Sequence, residues 1–332
     1  MYNAGRWKRG RVVEGSSLEN CRRGNPFVSS NLTASANMQY KPLILKGFFV
    51  FLGQYPHVYP RATAESRSQF MSQPSGSNSN QANVHLVELV EPWDLSRTNS
   101  LVEKLFGREQ HQIVQPCLRS IVDRQNFAQY HYSETARLLK SFQQKYLTGQ
   151  PLFMAIHGGD ENARTAFERL MIEAGAHVTA CIQAVHAVPD ILASGVYLAL
   201  GLNLRQDALP DKNVNIATVK DRVKSEAGCG ALAALLQKVS AGEKYQHLSA
   251  LSNLSKHRTV IRTSLNQDMT GTREKLHEFH LTAFKKPGKR GVKQYPSISL
   301  ADLIEPEFLR LGKLVVQTGH KLNEVLELKS LT

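Results

Sequence analysis

The stretch Tyr245–Ser264 reads YQHLSALSNLSKHRTVIRTS and gathers Asn253, Lys256, His257, Arg258 and Arg262 within ten residues. Histidine exchanges protons near neutral pH and is suited to general acid–base work. Lysine and arginine hold phosphate oxygens. On a helix Asn253 and His257 stand four apart and share a face, with Lys256 beside them. His186 and Asp190 repeat that spacing in the other strongly helical stretch, so a carboxylate is at hand to orient either His186 or His257. Together, Asn253, His257, Asp190 and His186 would make an acid–base site, and Lys256, Arg258 and Arg262 a phosphate grip. That set suits metal-independent RNA cleavage. The same residues have a second reading. His186–Asp190 and Asn253–His257 would hydrogen-bond between two packed helices and fix their register, because buried polar groups need partners. Lys256 and Arg258 would then be solvated at a helix C-terminus, where positive charge is favoured.

Other chemistry-bearing residues are more scattered. The run Lys285–Lys293, KKPGKRGVK, presents Lys289 and Arg290 at a basic turn, either touching phosphate or simply solvated. His277, Glu278 and His280 alternate on a candidate strand and are read with the two histidines on one face; a metal would need further ligands, and none is expected. His111, His131 and His177 read as ordinary helix residues. Gly158-Gly159-Asp160-Glu161 matches the signature of cyclic-dinucleotide synthases, but there it lies on a β-hairpin. Here a helix pattern follows at once. Cys21, Cys117, Cys181 and Cys229 show no C-x-x-C spacing, which favours a reducing compartment over a disulfide framework. No cofactor motif is present.

Long helices must position these groups. Ser96–Phe106 reads as a short helix and His111–Tyr146 as a long one. In the latter, Leu118, Ile121, Gln125, Ala128, Tyr132, Thr135, Leu139, Phe142 and Tyr146 form one stripe at steps of three and four. Asp160 suits a helix N-cap, and apolar positions recur from Glu161 to Gly201 across Pro189, as a kinked helix or as two. Short helices follow at Ile216–Ala227 and Ala231–Val239. The key helix runs from about Ala241 to Arg258. Leu276–Phe284 and Val292–Leu300 flank a Pro-Gly turn and predict a hairpin. Glu305–Leu328 predicts a last amphipathic helix with Pro306 in its first turn. The expected fold is mostly α: a helical bundle, residues 83–332, with one small β-hairpin at 276–300 near the C-terminus.

The chain has 332 residues and a formal charge of +13. Residues 1–70 hold 10 Lys+Arg against 3 Asp+Glu, so more than half of the basic excess lies in the first fifth. Residues 5–36, GRWKRGRVVEGSSLENCRRGNPFVSSNLTASA, resemble the conceptual translation of a serine transfer-RNA gene. Trp7-Lys8-Arg9 as TGG AAG CGT contains GGAAGCG, the reverse complement of CGCTTCC in Thr33-Ala34-Ser35 as ACC GCT TCC. Ser16–Cys21 as AGC AGT CTG GAA AAC TGC closes GCAGT on ACTGC over a loop. The alternative is a basic arm that binds nucleic acid. Residues 1–70 are therefore expected to be a spurious or disordered extension, with Met71 favoured over Met38 and Met1 as the start and 71–82 a flexible tail. A gene abutting a transfer-RNA gene fits a mobile element. No run reaches the roughly 18 apolar residues of a membrane helix, so no membrane partner and a cytoplasmic location are expected.

Asn253-Leu254-Ser255-Lys256-His257-Arg258, late in a helical domain, resembles the HEPN domains of toxins and defence ribonucleases, over about Glu161–Arg262. Those carry an arginine, a polar residue, a short gap and a histidine on one helix. This chain has Ala250, Leu251 and Ser252 where the arginine would stand. Members lacking it are thought to bind RNA or partners without cleaving. The resemblance implies an RNA-binding protein or metal-independent ribonuclease, with a homodimer or a cognate antitoxin-type protein as partner. The alternative is a non-enzymatic interaction or immunity protein whose polar cluster serves the fold.

Overall fold

A computed structural model describes residues 91–271, 275–288 and 291–331. The transfer-RNA-like stretch, the favoured start at Met71, the tail 71–82, and Lys289 and Arg290 lie outside the described residues.

The elements are α1 (Leu95–Tyr146), α2 (Leu152–His157), α3 (Glu161–Ala199), α4 (Ile216–Lys224), α5 (Gly230–Val239), α6 (Glu243–His257), five short strands and α7 (Leu300–Leu331). The strands are β1 (Thr263–Gln267), β2 (His277–Leu281), β3 (Phe284–Gly288), β4 (Gly291–Tyr295) and β5 (Ile298–Ser299). The molecule is thus mostly α, as its periodicity implies, with small sheets near the C-terminus.

α1 joins the two rods expected from the sequence. They meet at Gly107, whose φ of 84° no other residue type adopts cheaply. Its buried side includes Leu118, Ile121, Gln125, Ala128, Tyr132, Thr135 and Phe142, the expected stripe. α3 packs along α1 and is the core helix. It is buried at Leu170, Ala174, Val178, Cys181, Ile182, Val185, Val188, Leu192 and Val196. Gly195 allows the close approach, since a Cβ there would lie 2.9 Å from Leu118 Cδ2. Asp160 caps α3 by accepting from the N–H groups of Asn162 (2.9 Å) and Ala163 (3.2 Å), and the helix runs unbroken through Pro189. By length and composition α3 resembles a membrane span, but 61% of its apolar window is buried inside the protein.

α7 closes the bundle and ties down the start of α1. Trp93 lies on Gly319, where any Cβ would clash with the ring. Trp93 Nε1 donates to Thr98 Oγ1 (2.8 Å), that hydroxyl donates to Asn323 Oδ1 (2.6 Å), and Asn323 Nδ2 donates to the Asp94 carbonyl (3.1 Å). The helix begins at Leu300, directly after β5, so Pro306 lies inside it and not in its first turn.

The C-terminal strands depart from the single hairpin expected over 276–300. β2 leaves that hairpin and pairs antiparallel with β1 and β5 in the order β1-β2-β5. Only β3 and β4 form the hairpin, with Phe284 opposite Tyr295 and Lys286 opposite Lys293. The histidines of β2 also need correction. His277 and His280 are three apart, and a strand alternates faces at every residue. His277, Phe279 and Leu281 face the core, while Glu278 and His280 face outward.

Candidate functional site

α6 carries Asn253, Lys256 and His257, with Arg258 and Arg262 just beyond it. Tyr245, His247, Leu248, Ala250, Leu251 and Ser252 are buried, and Ser249 and Asn253 are half-buried. The polar side chains between α6 and α3 form a seam. His186 Nε2 lies 3.2 Å from Ser249 Oγ. Asn253 Nδ2 donates to the Ser249 carbonyl at 2.9 Å and reaches its hydroxyl at 3.4 Å. Farther along, Gln183 Nε2 donates to Ser255 Oγ (3.1 Å), which donates to the Ser252 carbonyl (2.9 Å). The Tyr245 ring lies parallel to His186, 6.0 Å away. Burial holds the His186 titration below the ordinary histidine range, and the nearby Lys256 adds to this; Asp190 opposes it.

The seam unites two of the four candidate catalytic residues, His186 and Asn253, through Ser249. It does not bring in the others. Ser255 meets Gln183 whereas Ser249 meets His186, so the two helices run antiparallel. Asp190 lies one turn beyond His186 in one direction. His257 lies past Ser255 in the other, and eight residues of helix from Ser249 to His257 span about 12 Å. Asp190 Oδ1 accepts from the Ile216 N–H at 3.0 Å. It satisfies one of the orphan donors of α4, which Asn215 caps with a capping box. His257 is exposed in the last turn of α6, where Lys256, Arg258 and Arg262 are exposed as well. The Arg262 carbonyl, not its side chain, accepts from Thr282.

The hairpin β3–β4 leans on the same helix. His247 packs against the rings of Phe284 (5.6 Å) and Tyr295 (5.0 Å), and Lys293 Nζ donates to Gln246 Oε1 at 3.0 Å. Lys286 on β3 and Lys256 on α6 both act on His186. Both lysines are exposed.

Two arrangements have no signal in the sequence. His131 and His177, each read as an isolated helix residue, meet across α1 and α3 with their Nδ1 atoms 2.9 Å apart. Burial and then His177 lower the His131 titration, and Glu134 opposes them. His247 is buried beside the apolar stripe, with no hydrogen-bond partner for Nε2 among the described residues. Both depend on how distant elements pack. Among the described residues no group of three or more His, Cys, Asp or Glu is arranged to hold a metal ion. Cys117, Cys181 and Cys229 are free thiols, and burial pushes Cys181 up to about 12.

Comparison of this chain with protein-family models, with curated proteins and with solved structures finds no match.

Proposed function

We propose that this chain is a helical RNA-binding protein. In this reading the α3–α6 seam is structural, and the exposed cations at the end of α6 and on β3–β4 meet the phosphate backbone. The observation that carries the reading is the exposure of Lys256, Arg258 and Arg262 together, at and just beyond the end of α6. Partnering supports it. Arg97, Arg137, Arg164, Arg169, Arg205, Arg222 and Arg310 each pair with a carboxylate. Among the described residues, Lys256, Arg258, Arg262, Lys285 and Lys286 form no such pair. A cation without a carboxylate is available to a phosphate, and such contacts supply most of the sequence-independent affinity for nucleic acid. The resemblance of Asn253–Arg258 to the HEPN motif points the same way. The absence of its arginine favours binding over cleavage, as does the separation of His257 from Asp190.

Fluorescence anisotropy with labelled RNA, between about 50 and 200 mM salt, tests this. The combined variant Lys256→Glu/Arg258→Glu/Arg262→Glu is expected to lose roughly a hundredfold in affinity at the lowest salt and to flatten the salt dependence by about three phosphate contacts. Its melting temperature should stay that of the wild type. RNA should remain intact; cleavage abolished by His257→Ala would make the protein a ribonuclease instead. Failure of the wild type to bind RNA at the lowest salt ends the reading.

A further inference from the structure

Among the described residues the two-stranded ribbon β3–β4 pairs only with itself, and residues 285–288 and 291–294 are exposed along its length. An isolated hairpin is marginal in water, and this one is clamped at its base. Phe284 and Tyr295 stand opposite each other, their rings stacked at 4.8 Å, and His247 packs against both. Beyond the clamp Lys286 stands directly across from Lys293. Lys293 reaches back to α6, donating to Gln246 Oε1 at 3.0 Å and lying 5.0 Å over the Tyr295 ring, and neither lysine has a carboxylate partner among the described residues. Thr282–Leu300 contains no Asp or Glu. Pro287 removes an N–H from β3, which makes the ribbon a poor template for another strand. A phosphate beside the ribbon would answer both charges.

The ribbon also indicates what kind of nucleic acid it meets. Single-strand binders stack bases on exposed aromatic rings. Residues 285–294 and 255–262 contain no Phe, Tyr or Trp. The rings at the ribbon's base are taken up by their mutual stack and by His247, and the exposed Phe127, Tyr130 and Phe153 belong to α1 and α2. What the surface offers is charge: Lys286 and Lys293 on one face of the ribbon and Lys285 on the other. Double-stranded RNA is recognised largely through its phosphates and shape, with little readout of sequence.

Resting on the RNA-binding reading, we infer that Lys286 and Lys293 grip the phosphate backbone of double-stranded RNA, without regard to sequence. The test uses the full chain and anisotropy with two probes, a mixed-sequence RNA duplex of about 20 base pairs and an oligouridine of equal length. The duplex should bind about tenfold tighter or more, a second duplex of unrelated sequence should match it, and Lys286→Glu/Lys293→Glu should erase the preference. Lys286→Gln/Lys293→Gln gives the same readout with a milder change, and Lys286→Arg/Lys293→Arg should keep the preference. Circular-dichroism melting checks that each variant is folded. Equal or tighter binding of oligouridine overturns the inference, as does tighter binding of duplex DNA. So does wild-type duplex affinity in the Glu variant while the α6 variant of the preceding section loses it; RNA binding itself would then stand. A wild type that binds neither RNA probe sinks the parent reading instead.

Discussion

The seam and the rim, the exposed cations of α6 and β3, are both polar and differ in whether those groups are answered. In the seam, His186, Ser249, Asn253, Gln183 and Ser255 bond to one another or to backbone between two packed helices. At the rim, Lys256, Arg258, Arg262 and Lys286 stand exposed with no carboxylate partner among the described residues. A satisfied buried network contributes specificity and rigidity, and removing one member leaves its partners desolvated. An exposed cation contributes little to folding and remains free for a ligand. The two regions should therefore respond oppositely: perturbing the seam should cost stability and spare RNA binding, and perturbing the rim should do the reverse.

Acidification should act most strongly, because it reaches several buried or half-buried histidines at once, His186 of the seam among them. His131, His186, His247 and His277 all titrate below the ordinary histidine range, burial being the first cause for each. Lys256 and then Lys286 reinforce this at His186 against Asp190, Lys293 does so at His247, and His177 at His131 against Glu134. For a group whose folded value is lowered, the unfolded chain takes up protons first. Stability is then full above the unfolded value of about 6.5 and is lost as pH falls from there toward the folded values. Urea unfolding from pH 8 to pH 5, roughly the span over which histidine changes charge, should show stability declining only in the lower half. The double variant His131→Phe/His177→Phe should make that decline shallower. A pH-independent unfolding midpoint would mean that these rings are not held neutral by the fold.

At the seam itself, His186→Ala should destabilise by about 1–3 kcal/mol, the cost of a lost hydrogen bond plus an unpaired polar partner. RNA affinity at fixed salt should stay within about twofold of the wild type, well under the tenfold that 1.4 kcal/mol represents. Denaturation and anisotropy on the same preparation decide it. A stable variant with greatly weakened RNA binding would move His186 from the fold to the ligand site.

The helices were legible because each buries one stripe. The positions Phe308, Leu311, Val315, Thr318, Leu322 and Val325 of α7 recur at steps of three and four, and all are buried. The three-stranded sheet was not. β5 has two residues, and β2 takes its partners from 10 to 19 residues away, so nothing local distinguishes it from one arm of a hairpin. For the candidate site, the meeting of His186 with the Asn253 turn follows from two strongly apolar helices sharing a core. The placement of His257 does not, since it depends on the direction and register of α6 against α3. The contact of His131 with His177 is a matter of register too, set by side chains such as Leu118 against Gly195.

Asp190 marks the limit of reading chemistry from spacing. Four residues after a histidine on a helix, a carboxylate suggests an orienting partner, and its charge does favour the His186 cation. Its hydrogen bond goes instead to the backbone N–H of Ile216, an unsatisfied donor created only when α4 forms. A carboxylate there also complements the positive end of the α4 dipole. Asp190→Asn keeps an acceptor and loses the charge, whereas Asp190→Ala loses both. The alanine variant should destabilise by about 1 kcal/mol, the usual size of a lost cap, and the asparagine variant by less. Asn215 still caps the same helix, which keeps this the smallest of the three effects. Neither variant should alter RNA binding. Were the carboxylate positioning a catalytic histidine, the order would differ: both variants would suppress any RNA cleavage alike, and the asparagine variant would show no intermediate stability. Thermal melts of the two variants, read beside an RNA-integrity assay, separate a helix cap from an orienting acid.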